Sequence, residues 1–220
     1  MFISHRCHLV LFFDPLEPCQ WLHQALAPWA DQPIAPGRHG TRQTPFHQNM
    51  TPAEARIAFT RAGLDFDSYM RIAVVQNPFR KMAALYDRTR GTDPVWRIRS
   101  RAGWQVPDFR SWLISGQYGC SGPFARLAPR WRRFGAQPTK TWAAGQIHSF
   151  VRAEFAAHDL RIAMRQLDVI PAVDLAAKQK THRFPELLRY DSETLAIVRL
   201  RFGADLRLYG GLGASLDLVA

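Results

Sequence analysis

Two adjacent cations at the start of a predicted helix are the side chains of this sequence best placed to bind an anion. Arg80 and Lys81 follow Asn77-Pro78, a pair typical of a turn that leads into a helix. The backbone N–H groups of a helix start favour negative charge, so a phosphate or sulfate group suits this position. Gln76, just before the turn, adds a hydrogen-bond donor without a charge. The alternative is that both cations are solvated residues of the first helical turn.

Two histidines, His39 and His47, are candidates for a general base that would remove a proton from an acceptor hydroxyl. Both lie in the polar segment 31–48, which is rich in proline and glycine and is predicted to be an irregular loop. The competing interpretation is that each histidine is a solvated loop residue.

Three arginines, Arg97, Arg99 and Arg101, alternate within a basic segment, 91–107, that is also predicted to be a loop. In an extended chain, alternate side chains point to the same side. The three cations would then line one edge and contact an anionic acceptor, or form a solvated edge.

The elements that must position these residues alternate between strands and helices. Apolar runs predict buried strands at Leu9–Phe13 and Arg71–Val75, and a third, edge-like strand is predicted at Ile147–Phe155. The order predicts an α/β fold in three layers, with a central parallel sheet in which the first two strands are neighbours and helices cover both faces. The predicted helices are Gln20–Trp29, a helix from a capping box at Thr51 to about Ala62, Phe79–Arg88, Phe109–Ser115, Asp159–Leu167, and one capped by Ser192 whose apolar face includes Leu195, Val198, Leu200 and Phe202.

The composition is that of a soluble globular protein, and it indicates the kind of partner. The 220 residues, 47% hydrophobic and 21% charged, predict one domain over 1–220. No apolar run is long enough to cross a bilayer and the first residues do not resemble a secretory signal, so we expect a cytoplasmic protein.

The net charge of +11 predicts an anionic small molecule or glycan as partner, although an excess of arginine also fits a coding bias. We expect neither a metal site nor a nucleic-acid partner, because no motif for either accompanies the charge.

Three segments fall in an informative order along the chain. The first segment begins with Ile3-Ser4-His5 and continues with LVLFFDPLEPCQWLHQAL. The second, at 75–86, reads VQNPFRKMAALY. The third, near the end of the chain, reads ELLRYDSETLAIVRLRFGADLRLYGG. Over roughly residues 3–210, these segments resemble the sulfotransferase family whose better-studied members act on carbohydrates. The resemblance implies a P-loop-like sulfotransferase architecture and the donor 3′-phosphoadenosine-5′-phosphosulfate.

The resemblance also implies where the donor would bind. In the family, a loop after the first strand binds the phosphosulfate through backbone N–H groups and a lysine, and an arginine and a serine of the second motif bind the 3′-phosphate. We therefore expect Arg80 and Lys81 to face the loop 15–20. The donor-binding positions carried over to this chain are Pro15, Leu16, Glu17, Pro18, Cys19, Gln20, Gln76, Arg80, Lys81 and Ala84.

This sequence departs from the family at the residues that would bind the donor. Leu16 stands in the place of the family's lysine, and Gln76 stands in the place of its arginine. Glu17 adds a negative charge, and Pro18 has no N–H to offer an anion. Further replacements are Pro18 and Cys19 for glycines and Ala84 for a serine.

The function predicted from these features is transfer of a sulfuryl group from the donor to a hydroxyl of a carbohydrate-like acceptor, with catalysis weakened or lost. Whether the chain is an enzyme stays open at this point. The alternative is an inactive protein that binds an anionic glycan, nucleotide or protein partner. An active enzyme would recruit other groups, for which the candidates are His5, Arg6, His39, Arg42, His47, Arg80 and Lys81.

Overall fold

A four-stranded sheet forms the centre of the part of the chain that the computed structural model describes, namely residues 1–14, 16, 20–36, 44–116, 132, 135–165 and 188–211. Its strands are β1 (Phe2–Ser4), β2 (Leu9–Phe13), β3 (Met70–Val75) and β4 (Ser149–Arg152), in the spatial order β1-β2-β3-β4. The first two predicted strands are parallel neighbours, as expected, and the third predicted strand pairs with β3 in parallel.

The sheet is mixed, and the prediction of a wholly parallel sheet is wrong at one edge. β1 pairs with β2 in antiparallel orientation, with Ile3 opposite Val10. The four residues between these strands form a turn, which is long enough for an antiparallel pair but far too short for a crossover. Sequence reasoning missed β1 because a run of three residues is too short to show a period.

Helices connect the parallel strands and cover both faces of the sheet, as predicted. The helices are α1 (Gln20–Leu26), α2 (Pro52–Arg61), α3 (Pro78–Thr92), α4 (Pro94–Arg101), α5 (Phe109–Ser115), α6 (Thr139–Ala143), α7 (Ala156–Arg165) and α8 (Ser192–Gly211). Leu9, Leu11 and Phe13 of β2 pack with α1 and α7 on one face, whereas Val10 and Phe12 pack with α2 and α6 on the other. This alternation follows from the two-residue period of a strand.

The helix starts show which sequence signals were sufficient. Thr51 accepts the N–H of Glu54, whose carboxylate accepts the N–H of Thr51 in return, so the predicted capping box of α2 is confirmed. The cap predicted for α8 at Ser192 is wrong by one residue. Asp191 caps this helix: its carboxylate accepts the N–H of Thr194 at 2.8 Å, and its own N–H donates to the Thr194 hydroxyl.

Two further predictions are wrong, one about a loop and one about a helix face. The segment 91–107 contains helix α4, so Arg97, Arg99 and Arg101 do not line one edge of an extended chain. Asp93 starts this helix by accepting the N–H of Trp96 at 3.1 Å. On α8, Leu200 is 90% exposed and so does not belong to the apolar face that Val198 and Phe202 form.

A third apolar cluster lies among the helices that follow the carboxyl ends of the parallel strands. It joins the buried faces of α3, α5 and α8, with Trp112 and Phe202 at most 2% exposed. The described residues include no helix with both the length and the apolar composition to span a bilayer. The helical cluster therefore supports the edge of the sheet at which the candidate site lies.

Candidate anion site at the carboxyl edge of the sheet

Each parallel strand is followed by a buried polar residue at the same edge of the sheet. Asp14 comes directly after β2, Gln76 directly after β3, and Glu154 two residues after β4. These residues are only 8%, 5% and 4% exposed. The carboxyl edge of parallel strands is the usual place for ligands in α/β proteins, because helix starts converge there. α3 begins at this edge, with the Asn77 side chain accepting the N–H of Phe79 as its cap.

Lys81 of α3 contacts Asp14, the residue before the loop that was predicted to bind the donor, and forms an ion pair with it. Its Nζ is 3.1 Å from Oδ2 of Asp14, and the two side chains are 5% and 8% exposed. Nζ also donates to the carbonyl of Gln137 at 3.2 Å. Lys81 is thus neither a solvated first-turn residue nor a cation that faces an open phosphate site.

Arg80 faces the second buried carboxylate of this edge. Its guanidinium is 3.8 Å from Oε1 of Glu154, whose side chain is 1% exposed. The same oxygen accepts the N–H of Asn77 at 3.2 Å, and Oε2 accepts the hydroxyl of Tyr209 at 2.8 Å. Burial, and then the negative charge of Glu154, raise the pKa of Tyr209, so its hydroxyl stays protonated and continues to donate.

Leu16, at the position where the resemblance to the sulfotransferases places a lysine, is an apolar core residue. It is 9% exposed and belongs to the cluster of α3, α5 and α8. A Cβ added to Gly135 would lie 2.7 Å from a terminal methyl carbon of Leu16, so a larger residue at position 135 would require the Leu16 side chain to move. The backbone N–H of Leu16 donates to Oδ1 of Asp14, two residues earlier, at 2.9 Å. Asp14 therefore holds the start of the loop and Lys81 at the same time.

The other candidate residues are only partly brought to this edge. Gln76 is buried here, Ala84 lies half-buried on α3, and Gln20 is the first residue of α1. His47 is buried just before α2 and forms a backbone bridge with Ala35. Pro15, Glu17, Pro18, Cys19, His39 and Arg42 lie outside the described residues.

His5 and Arg6 lie at the opposite edge of the sheet, in the turn between β1 and β2. The backbone N–H groups of both residues donate to Asp31, and the His5 ring contacts the hydroxyl of Tyr69 at 2.7 Å. β2 separates this turn from Asp14 by its full length, about 15 Å. Neither residue can therefore supply charge to the carboxyl edge.

Sequence reasoning missed the two carboxylates that define this edge. Asp14 directly follows a predicted buried strand, and a charge in that position is a signal, since it must lie at the sheet edge. Glu154 lies inside the predicted third strand, Ile147–Phe155, and only the shorter observed strand, Ser149–Arg152, places it beyond a strand end. Glu154 pairs with Arg80 and Asp14 pairs with Lys81, so the charges at this edge cancel and the site as a whole has no excess positive charge. Among the described residues, no group of three or more His, Cys, Asp or Glu side chains is placed to hold a metal ion.

Comparison of the chain with models of known families, with curated proteins and with solved structures finds no match.

Proposed function

We propose that this chain is a sulfotransferase-like protein that has lost the donor site and that acts by binding an anionic ligand. The three segments that resemble the family support the first part of the proposal. The buried ion pair of Lys81 with Asp14 supports the loss of the donor site and is the observation on which the proposal depends. The net charge of +11 supports an anionic ligand.

An anion that entered this edge would have to displace a carboxylate. A sulfate beside Asp14 would be repelled, and repulsion between charges is stronger in buried surroundings than in water. Leu16 offers no charge-assisted hydrogen bond, and such a bond is worth about 1.5–3 kcal/mol. Its loss alone lowers affinity by a factor of roughly 10 to 150. The edge is therefore built to hold the fold together rather than to bind the sulfate donor.

An assay of sulfuryl transfer from 3′-phosphoadenosine-5′-phosphosulfate to a panel of mono- and oligosaccharides tests the proposal. We expect the native protein to give no more product than the buffer alone. Turnover by the native protein would overturn the proposal. Lys81→Met and Arg61→Gln, a change of an exposed cation at the end of α2, would then show whether the donor depends on this edge or on general positive charge.

A further inference from the structure

A cavity lies between the end of α3 and the whole of α4, and it is lined by two of the three arginines that the sequence offered as contacts for an anionic acceptor, Arg97 and Arg101. An open cavity of about 550 Å³ is present there, within the usual range for a small-molecule site. Arg90, which lines the cavity, is nine residues after Lys81 on α3, so the cavity lies about 13 Å further along that helix. Its lining includes Arg90, Trp96, Arg97, Ser100, Arg101 and Trp104.

The helical spacing of α4 brings these side chains to one cavity. Arg97 and Arg101 are four residues apart and so share a helix face, as do Trp96 and Ser100. The spacing of four between Arg97 and Arg101 is visible in the sequence. An extended segment, however, predicts that Arg99 points to the same side as both of them, whereas a helix turns Arg99 away. Arg99 does not line the cavity.

The end of α4 fixes the backbone of Trp104. Gly103 has a φ of 71°, a conformation that favours glycine, and its N–H donates to the carbonyl of Ser100 at 3.3 Å. The N–H of Trp104 donates to the carbonyl of Arg99 at 2.8 Å, which completes a Schellman motif. The indole of Trp104 is nevertheless 66% exposed at the cavity. An exposed tryptophan on a backbone held by hydrogen bonds offers a stacking surface for a flat ring.

The charge of this cavity is not balanced by the described part of the chain. Arg110, Arg152 and Arg189 each form an ion pair with a carboxylate. Across the described ranges, Arg90, Arg97 and Arg101 form no such pair, and no acidic residue lines the cavity. Three guanidinium groups that share a cavity suit a ligand with several phosphate oxygens, which they bind through paired hydrogen bonds.

We propose that this cavity binds a nucleotide, with its phosphates on Arg90, Arg97 and Arg101 and its base against Trp104. The inference deepens the proposed function, because it supplies the anionic ligand's class and its place. A nucleotide fits better than a sulfated sugar because sugar hydroxyls also need acceptors, whereas the lining side chains are nearly all donors or apolar. Stacking on tryptophan adds affinity for any base. The nucleotide can be free or a unit of a single strand.

Calorimetric titration of the whole chain with ADP in the presence of EDTA tests this inference. We expect micromolar binding that Arg97→Gln and Arg101→Gln each weaken about tenfold or more. Arg99→Gln, which makes the same change of charge on the same helix, should leave the affinity within about twofold. Equal loss in all three variants would overturn the proposal, because it would indicate only a general effect of positive charge.

Inorganic pyrophosphate separates the role of Trp104 from that of the arginines. We expect Trp104→Leu to weaken the binding of ADP about tenfold and to leave the binding of pyrophosphate unchanged. Gly103→Ala should weaken the binding of ADP because it moves Trp104. If pyrophosphate binds the native protein as tightly as ADP, or a sulfated disaccharide binds more tightly, the proposal is wrong. A short thymidine oligonucleotide that binds more tightly than ADP, through the same side chains, would identify a single strand as the source of the nucleotide.

These outcomes can be told apart from failure of the proposed function. If ADP does not bind, the inference fails, while absence of sulfuryl transfer still supports the lost donor site. If ADP binding is lost in Arg80→Gln but not in Arg101→Gln, the nucleotide lies at the carboxyl edge and both proposals fail.

Discussion

Lys81 and Asp14 form a buried ion pair, with Nζ 3.1 Å from Oδ2, at the point where β2 leads into the loop that follows it. The pair joins helix α3 to the end of strand β2. Since Asp14 also accepts the N–H of Leu16, the carboxylate sets the path of the chain as it leaves the sheet. A cation that looks from sequence like a phosphate ligand is thus part of the fold.

The first prediction concerns the energy of this pair. Lys81→Met leaves the Asp14 carboxylate buried without its cation, and removing one partner of such a pair typically costs about 3–5 kcal/mol. The double change Asp14→Asn with Lys81→Met should cost less than Lys81→Met alone, because an amide still accepts the Leu16 N–H and no charge stays buried. Urea unfolding of the native, single and double variants measures this coupling.

The exposed pair of Arg189 with Asp87 is the matched control, with side chains 43% and 51% exposed. Asp87→Asn should cost less than about 1 kcal/mol. Equal costs for the two pairs would show that the Lys81 pair is not buried in solution.

The second prediction concerns a lysine at position 16, where the resemblance to the sulfotransferases places one. Leu16→Lys places an ammonium group in the apolar cluster of α3, α5 and α8, where a charge is costly to bury. We expect it to destabilise the fold by at least about 2 kcal/mol more than Leu16→Met, which keeps the volume. No gain in affinity for 3′,5′-adenosine bisphosphate should accompany it.

The pH dependence of this variant gives an independent check. Burial lowers the pKa of a lysine below its unfolded value of about 10.4. Between the two values the unfolded state binds more protons, so the stability lost in Leu16→Lys should be regained as pH rises towards 10. A variant as stable as Leu16→Met at pH 7 would mean that position 16 reaches solvent, and the lysine could then serve a ligand.

The strands and helices show what a sequence can predict by local rules. β2 and β3 could be located because each is a continuous apolar run, and their parallel pairing followed from the helices between them. α2 could be located because Thr51 and Glu54 form a capping box, which is a local signal. α4 was missed because four of its eight residues are arginine or serine, so that apolar periodicity, the signal sought, is nearly absent.

The candidate site shows why spacing does not suffice for function. The position of Lys81 after Asn77-Pro78 predicts a contact with an anion at a helix start, but its partner Asp14 is 67 positions earlier in the chain. Glu154 is similarly remote from Arg80. Pairing between such distant segments depends on which strands become neighbours in the sheet, and no local pattern around either residue encodes it. The sequence could therefore place charged residues at this edge, but could not pair the cations with the carboxylates.

The third prediction tests which residue caps α8. Asp191 accepts the N–H of Thr194 at 2.8 Å and lies 2.9 Å from the Arg110 guanidinium. The hydrogen bonds from Thr194, followed by that from Arg110, lower the pKa of Asp191 to about 2. Asp191→Ala should cost about 1 kcal/mol, a typical loss for a helix cap, whereas Ser192→Ala should be nearly neutral. Thermal unfolding followed by circular dichroism measures both, and the reverse ranking would restore Ser192 as the cap.

The last prediction concerns acid sensitivity at His23 of α1. Its ring lies 4.2 Å from that of Phe13, centroid to centroid, and burial, followed by the charge of the chain's amino terminus, lowers its pKa to about 4. An unfolded histidine has a pKa of about 6.5, so between these values the unfolded state binds more protons. Stability should therefore fall as pH drops from 6.5 towards 4, because the proton is bound more tightly by the unfolded chain.

His23→Gln, which cannot be protonated, isolates this contribution from the other groups that titrate in the same range. Urea unfolding of both proteins at pH 7.0, 5.5 and 4.5 should give free energies that converge, or cross, as the pH falls. The native protein should lose more stability over this interval than the variant, because only the native chain gains a proton on unfolding at this position. Parallel pH profiles would mean that the ring of His23 is protonated as easily in the folded protein as in the unfolded chain, and that its contact with Phe13 does not exclude water.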